Sequence, residues 1–164
     1  DAGCGVGSLT LPLAALDIGS ISASDISDSM ISETKIRAES AKLDMSKISF
    51  NVSDLENLQG SFHTVICLDV FIHYPQEAAE EMVKHLCGLA EERLIVSFAP
   101  YTPLLALLKR IGQLFPGPSK TTRAYTLRET GIIEAAKQSG FKVVKSKLNQ
   151  APFYFSKLIE FVKS

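Results

Sequence analysis

The sequence has few cysteines, almost no net charge and no long unbroken apolar run, and each shortage removes a class of function. Cys4, Cys67 and Cys87 are odd in number and far apart, so they match neither a disulfide framework nor a zinc site. Buried or half-buried thiols in a reducing compartment are the expectation. Lys and Arg number 17 against 18 Asp and Glu, a net charge of −1, which leaves no basic excess for nucleic acid. Segments such as "TPLLALLKRIGQLF" are apolar but interrupted by Lys109, Arg110 and Gln113, short of the ~20 unbroken apolar residues a membrane span needs. What is present is 46% hydrophobic residues in a chain of 164, the composition of one soluble globular domain, residues 1–164, with a core of its own. The chain starts inside a motif and without an initiator methionine, so any targeting segment is expected upstream.

Short β-branched runs alternate with longer amphipathic ones. "SLTLPLAAL" has helical spacing, with Pro12 tolerable only near its start. "ISASD" reads as a strand ending on Asp25, and "SDSMISETKIRAESAKL" as a helix capped by Ser27 with Met30, Ile31, Ile36 and Leu43 spaced along it. "KISFNVSD" and the continuous apolar "FHTVICLDVF" read as strands, the second buried. "PQEAAEEMVKHLCGLAEE" is a helix opened by Pro75, "RLIVSFAP" a strand, and "TPLLALLKRIGQLF" a helix. The loop "PGPSKTTRAY" leads to the helix "LRETGIIEAAKQSG", which ends on Gly140. "FKVVKSKL" and "FYFSKLIEFV", separated by "NQAP", look like an antiparallel pair. The expected fold is α/β: a doubly wound, mostly parallel Rossmann-like sheet with a C-terminal antiparallel strand pair. Ligands of such sheets bind outside the carboxyl ends of the strands, where the glycine cluster, Asp25, Asp54 and Asp69 to His73 all fall.

The opening "DAGCGVGS" carries the sharpest local signal. Gly3, Gly5 and Gly7 permit a tight turn that brings backbone N–H groups close to a ligand. The spacing is G-x-G-x-G, with Ser8 where a dinucleotide fold wants its third glycine. Asp1 stands before the turn, where a negative charge repels a pyrophosphate but suits a ligand carrying an amino group and a sulfonium. Asp25 follows about twenty residues on, the place of an acid that takes ribose hydroxyls. The bland alternatives are a plain strand-to-helix turn, and Asp25 and Asp54 as helix caps.

"DAGCGVGS" with "ASDIS" resembles the S-adenosylmethionine-binding motifs of class I methyltransferases. "TVICLDVFIHYPQE" and "LLKRIGQLFPGPSKTTRAY" are similar to one branch, the magnesium protoporphyrin IX O-methyltransferases of chlorophyll biosynthesis. The resemblance covers essentially the whole chain. It implies the class I methyltransferase fold with its first strand truncated to Asp1 and Ala2, and with the family's N-terminal helical arm lying upstream. An instability of the sheet is expected from that. The implied activity is methyl transfer from S-adenosylmethionine to a propionate of magnesium protoporphyrin IX, with no protein-bound metal. Asp1 would face the methionine amino group, directly or through water; Gly3 and Gly5 would pass under the methionine moiety, with Cys4 and Gly7 also in the donor site. Asp25 would accept from the ribose hydroxyls, Ile26 and Leu55 would flank the adenine, Asp54 would take its exocyclic amine, and Leu68 would close the donor site.

A propionate is already ionised at neutral pH, so His73 is read as an orienter of the carboxylate or a neighbour of the porphyrin magnesium, and not as a base. Its bland alternative is a cap of the next helix. Tyr74 joins it on the substrate side, and Asp69 is either a buttress or a turn residue. Phe115 and Tyr125 would supply apolar walls, and Lys120 or Arg123 would hold the second propionate. The helix "TPLLALLKRIGQLF" is read first as a cover for the sheet, and second as a surface for magnesium chelatase or a membrane. The implied setting is a chloroplast, at the thylakoid or envelope surface or in the stroma, with a cyanobacterial cytoplasm as the other. Two rival functions stay open: another S-adenosylmethionine-dependent small-molecule O-methyltransferase, and a non-catalytic S-adenosylmethionine-binding module.

Overall fold

The structure is a computed structural model that describes residues 1–16, 18–101, 125–151 and 154–164. After the glycine turn comes α1 (Thr10–Ala14), followed by β1 (Ile21–Asp25), α2 (Asp28–Ser40), β2 (Ile48–Val52), β3 (Phe62–Cys67), α3 (Gln76–Leu89), β4 (Ala90–Phe98), α4 (Glu129–Gln138), β5 (Phe141–Ala151) and β6 (Tyr154–Lys163). Pro12 sits in the first turn of α1, where its missing N–H costs nothing. Ser27 caps α2 by accepting from the Met30 amide, with Asp28 in the first turn and Arg37 in the last, each favourable to the helix dipole.

Strand pairing falls into two groups. β1 and β2 pair in parallel, Ile21 opposite Ile48. The other four run in the order β3-β4-β6-β5, with β3 and β4 parallel and β6 antiparallel to both neighbours. Residues 1 and 2 lie between the groups. The Ala2 amide donates to Ile66 O of β3 at 2.8 Å, while Ser24 of β1 donates to Asp1 O at 3.0 Å and accepts from Gly3.

The cores follow the same division. Phe71, Leu94, Phe98, Leu127, Ile132, Phe141 and Phe161 belong to a large cluster between the four-stranded group and α3 and α4, which also takes in Ala2 and Leu55. Cys4, Ala23 and Ile31, with Phe50 against them, form a small one on β1 and β2. All three cysteines are free and buried. Buried Ala79, Met82, Val83, Leu86 and Cys87 repeat at helical spacing on α3, the stripe expected of a helix lying on a sheet.

Several expected boundaries move. α3 stops at Leu89, and the "AEE" assigned to it runs in β4 because Ala90 pairs with Phe62 across the sheet. α2 buries Ile31, Thr34 and Ala38, leaving Met30 40% and Ile36 58% exposed against the sequence reading. "FHTVICLDVF" leaves the strand after Cys67 and enters a 3-10 turn at Phe71–His73. β5 continues into the expected "NQAP" connection, with Asn149 and Gln150 opposite Ser156 and Phe155. The "TPLLALLKRIGQLF" helix and most of the loop after it, with Phe115, Lys120 and Arg123, lie outside the described residues.

Candidate functional site

The three turn glycines all have positive φ, +77° at Gly3, +52° at Gly5 and +79° at Gly7, but for different neighbours. Val70 Cγ2 occupies the place a Cβ on Gly3 would take, and Thr34 Cγ2 would lie 2.6 Å from one on Gly7. A Cβ on Gly5 would meet no atom of the described residues within 4 Å, so there the turn presents bare backbone to open space. Asp25 holds this geometry from below. One oxygen accepts the Gly5 amide at 2.9 Å and the other the Ser27 amide at 2.9 Å. The carboxylate therefore ties the glycine turn to the start of α2, while the helix cap itself is Ser27.

A cleft of about 650 Å³ opens at the carboxyl ends of β1, β2 and β3, lined by Gly3, Asp25, Ile26, Asp54, Leu55, Leu68, Asp69, Val70, His73 and Tyr74. Most of the residues singled out in the sequence meet here. Ile26 is 74% exposed on the rim, whereas Leu55 is buried, so apolar surface faces the cleft from both. Asp54 accepts from the Asn57 amide at 3.0 Å and from Asn57 Nδ2 at 2.9 Å, so it caps a turn and not the helix of the bland alternative. Asp25, Asp54 and Asp69 put three carboxylates in the lining, and among the described residues it contains no Lys or Arg. That field suits a cationic ligand and opposes a phosphate.

Asp1, Cys4, Gly5 and Gly7 stand behind the lining. Asp1 Oδ2 accepts a 2.6 Å bond from the buried Thr10 hydroxyl, so this carboxylate anchors α1 to the turn. The Cys4 thiol is pushed up by burial and by the Asp25 charge, and complete burial pushes Cys67 up to about 12. Neither thiol is a nucleophile at neutral pH.

On the far side of the cleft, His73 is exposed at the end of the 3-10 turn, whose Phe71 is fully buried beneath it. Tyr74 is half-buried, and its hydroxyl is pushed up to about 12, first by burial and then by the charge and hydrogen bond of Glu56. The Tyr125 amide donates to Ile72 O at 2.8 Å, and Tyr101 and Leu127 are bonded in the same way at 2.7 Å. Tyr125 therefore stands beside the turn that carries His73. Val70 falls in the Asp69 to His73 stretch expected at the strand end, but its part against Gly3 was not legible; its trace is the glycine it requires at position 3. Among the described residues no cluster of three or more His, Cys, Asp or Glu side chains could hold a metal ion.

A parallel sheet with this turn at its first crossover, an acid after each of the next two strands and an antiparallel last strand is the class I methyltransferase fold. A methyltransferase-domain model matches residues 1–92, and a model described as the magnesium-protoporphyrin IX methyltransferase C-terminus matches residues 67–163. The chain belongs to the magnesium-protoporphyrin IX methyltransferase family. It is 50% identical over 162 residues to a chloroplastic magnesium protoporphyrin IX methyltransferase of Arabidopsis thaliana, covering 99% of this chain and 52% of that one. It is 48% identical to a magnesium-protoporphyrin O-methyltransferase of Synechocystis, covering all of this chain and 71% of the relative. The chain thus spans about half the length of the first relative. A crystal structure of the Synechocystis magnesium protoporphyrin IX methyltransferase with bound SAH superposes with a TM-score of 0.90 at 44% identity, covering all of this chain and 73% of that one. A methyltransferase from Methanosarcina mazei at 16% identity and TM-score 0.80 shares the fold.

Proposed function

We propose that residues 1–164 act as one domain that transfers the methyl group of S-adenosylmethionine to a propionate carboxylate of magnesium protoporphyrin IX, giving the monomethyl ester. The observation that carries this reading is the cleft: carboxylates on the strand ends, an exposed Ile26 beside them, and His73 on the opposite wall. The names of the relatives support the acceptor. When bound, S-adenosylmethionine supplies an electrophilic methyl group on a cationic sulfur.

The chain's own groups do the rest. Each Asp25 oxygen holds one N–H and retains a lone pair, which suits it to accept from ribose hydroxyls. The open space over Gly5 leaves room for the methionine moiety, in a turn that Asp1 and Cys4 brace and Gly7 closes. Ile26 and Leu55 pack on the adenine, Asp54 accepts its amine, and Leu68 joins the donor site just after β3. A propionate with pKa about 4–5 is already ionised, so a general base adds little. What the site adds is alignment of carboxylate, methyl and sulfur, worth up to ~7–11 kcal/mol in favourable cases. His73 donates a hydrogen bond to the propionate or reaches the magnesium, Tyr74 backs it, and Lys120 or Arg123 takes the second propionate. Magnesium chelatase is the partner this reading supplies for the substrate. The setting is a chloroplast, in the stroma or at a thylakoid or envelope surface, or a cyanobacterial cytoplasm.

Transfer of labelled methyl from S-adenosylmethionine to magnesium protoporphyrin by the full chain tests the reading, with ester formation expected. His73→Ala should lower kcat by about tenfold or more and leave S-adenosylmethionine affinity within about twofold. A large loss of S-adenosylmethionine binding in that variant would place His73 on the donor side instead.

A further inference from the structure

Asp69 follows β3 in a left-handed conformation, φ +59°, which few residues with a Cβ adopt and Asp and Asn adopt best. Two buried serines hold it there. Its amide donates to Ser97 Oγ at 2.8 Å, and the Ser97 hydroxyl returns a bond to Asp69 Oδ1 at 2.9 Å. Ser156 Oγ lies 3.4 Å from the same oxygen. Ser97 is on β4 and Ser156 on β6, so one carboxylate ties together three strands at the edge of the cleft.

The bend sends the chain to both walls. Val70, the next residue, fills the space left by the missing Cβ of Gly3 in the glycine turn. The His73 amide then closes the 3-10 turn on Val70 O at 3.1 Å, which brings His73 into the lining of the same cleft. Val70 packs on the donor-side turn and His73 faces the acceptor. The direction of both is set by one residue's backbone.

We propose that Asp69 is a positioning residue for the methyl transfer: its left-handed bend, locked by Ser97 and Ser156, fixes His73 relative to the glycine turn. What the bend needs from residue 69 is tolerance of positive φ and an oxygen acceptor, both of which Asn provides. The kinetic side of this inference rests on the proposed function.

The full chain would be compared as wild type, Asp69→Ala, Asp69→Gly and Asp69→Asn. Asp69→Ala and Asp69→Gly should lower kcat by about tenfold or more, with the S-adenosylmethionine dissociation constant within about twofold. Asp69→Asn, which keeps the acceptor and loses the charge, should recover much of the kcat that alanine and glycine lose, standing at least about threefold above both. Glycine relieves the backbone and lacks only the carboxylate, so it decides the question where alanine fails to fold. A second readout needs no acceptor: the His73 ring signal in proton–carbon NMR should move in the alanine and glycine variants and keep its place in the asparagine one. A wild type that leaves magnesium protoporphyrin unmethylated would end the proposed function, and the His73 signal would still decide the role of Asp69. Wild-type kcat or an unmoved His73 signal in a folded Ala or Gly variant overturns the inference, as does an asparagine variant as damaged as alanine.

Discussion

Asp25 was legible from its distance to the glycine turn, but the sequence offered two uses for it, ribose acceptor or helix cap. The geometry shows why that choice was too narrow. Both oxygens already hold backbone N–H groups, of Gly5 and Ser27, and each keeps capacity for a further donor. Asp25→Ala should therefore raise the dissociation constant for S-adenosylmethionine about tenfold or more, a loss of ~1.4 kcal/mol or above. It should also lower the melting temperature, by about 2–4 °C per kcal/mol of lost stability, because the Gly5 amide loses its partner. Calorimetry and a thermal melt check the two parts, and unchanged affinity in a folded variant would leave Asp25 a purely structural brace. Tyr74 gives a pH-dependent case. With its folded pKa raised from 10.0 to about 12, the folded protein keeps the proton after the unfolded chain has lost it. Its stabilising contribution is full below pH 10.0 and is lost as pH rises toward about 12. Tyr74→Phe should thus show a shallower fall of melting temperature across that window than wild type. Asp1 was less legible than either, since only the fold brings Thr10 to it.

The glycine turn and the strand ends were readable as elements because glycine spacing and apolar runs are local properties. Two misplacements share one cause. The "AEE" segment favours helix and "NQAP" favours a turn, yet backbone pairing with Phe62 and with β6 draws both into strands. At Asp54 a cap signal is real, but the side chain spends it on a single turn closed by Asn57. Within the glycine turn, positions that look alike in the sequence have unlike duties. Gly3→Ala sets a Cβ against Val70 and should cost about 1–3 kcal/mol for overpacking beyond the ~1–2 kcal/mol of the left-handed backbone. Gly5→Ala meets no neighbour, so it should pay only the backbone part while weakening S-adenosylmethionine binding by about tenfold. Melting temperatures and dissociation constants of the two variants, measured side by side, separate these duties. Equal losses of stability would show that conformation alone governs the turn.

At the scale of the molecule, the alternation of strand and helix predicted a single doubly wound sheet. What composition could not show is how strand pairing divides. Ala2 and its neighbours bridge β1 and β3, helped by Leu55 and by Val70 against Gly3. The β1–β2 group has the smaller core, so its amides, Ala23 and Ser24 among them, should exchange hydrogen faster than those of Leu94, Val96 and Phe161. Saturating S-adenosylmethionine should slow exchange in the first set more than in the second; equal protection throughout would mean that the two groups open as one. The cleft takes its lining from the ends of three strands, with Asp25, Ile26, Asp54 and Leu55 from β1 and β2, and Leu68, His73 and Tyr74 after β3. A ligand gripped from both sides therefore stabilises the fold, by about 2.7 kcal/mol when present at a hundred times its dissociation constant. In the proposed reaction the sulfur gives up its positive charge together with the methyl group. The carboxylates of Asp25 and Asp54 then hold a neutral thioether less tightly than the cation that entered. The grip slackens at the moment its task is done, so turnover itself favours release of the spent donor.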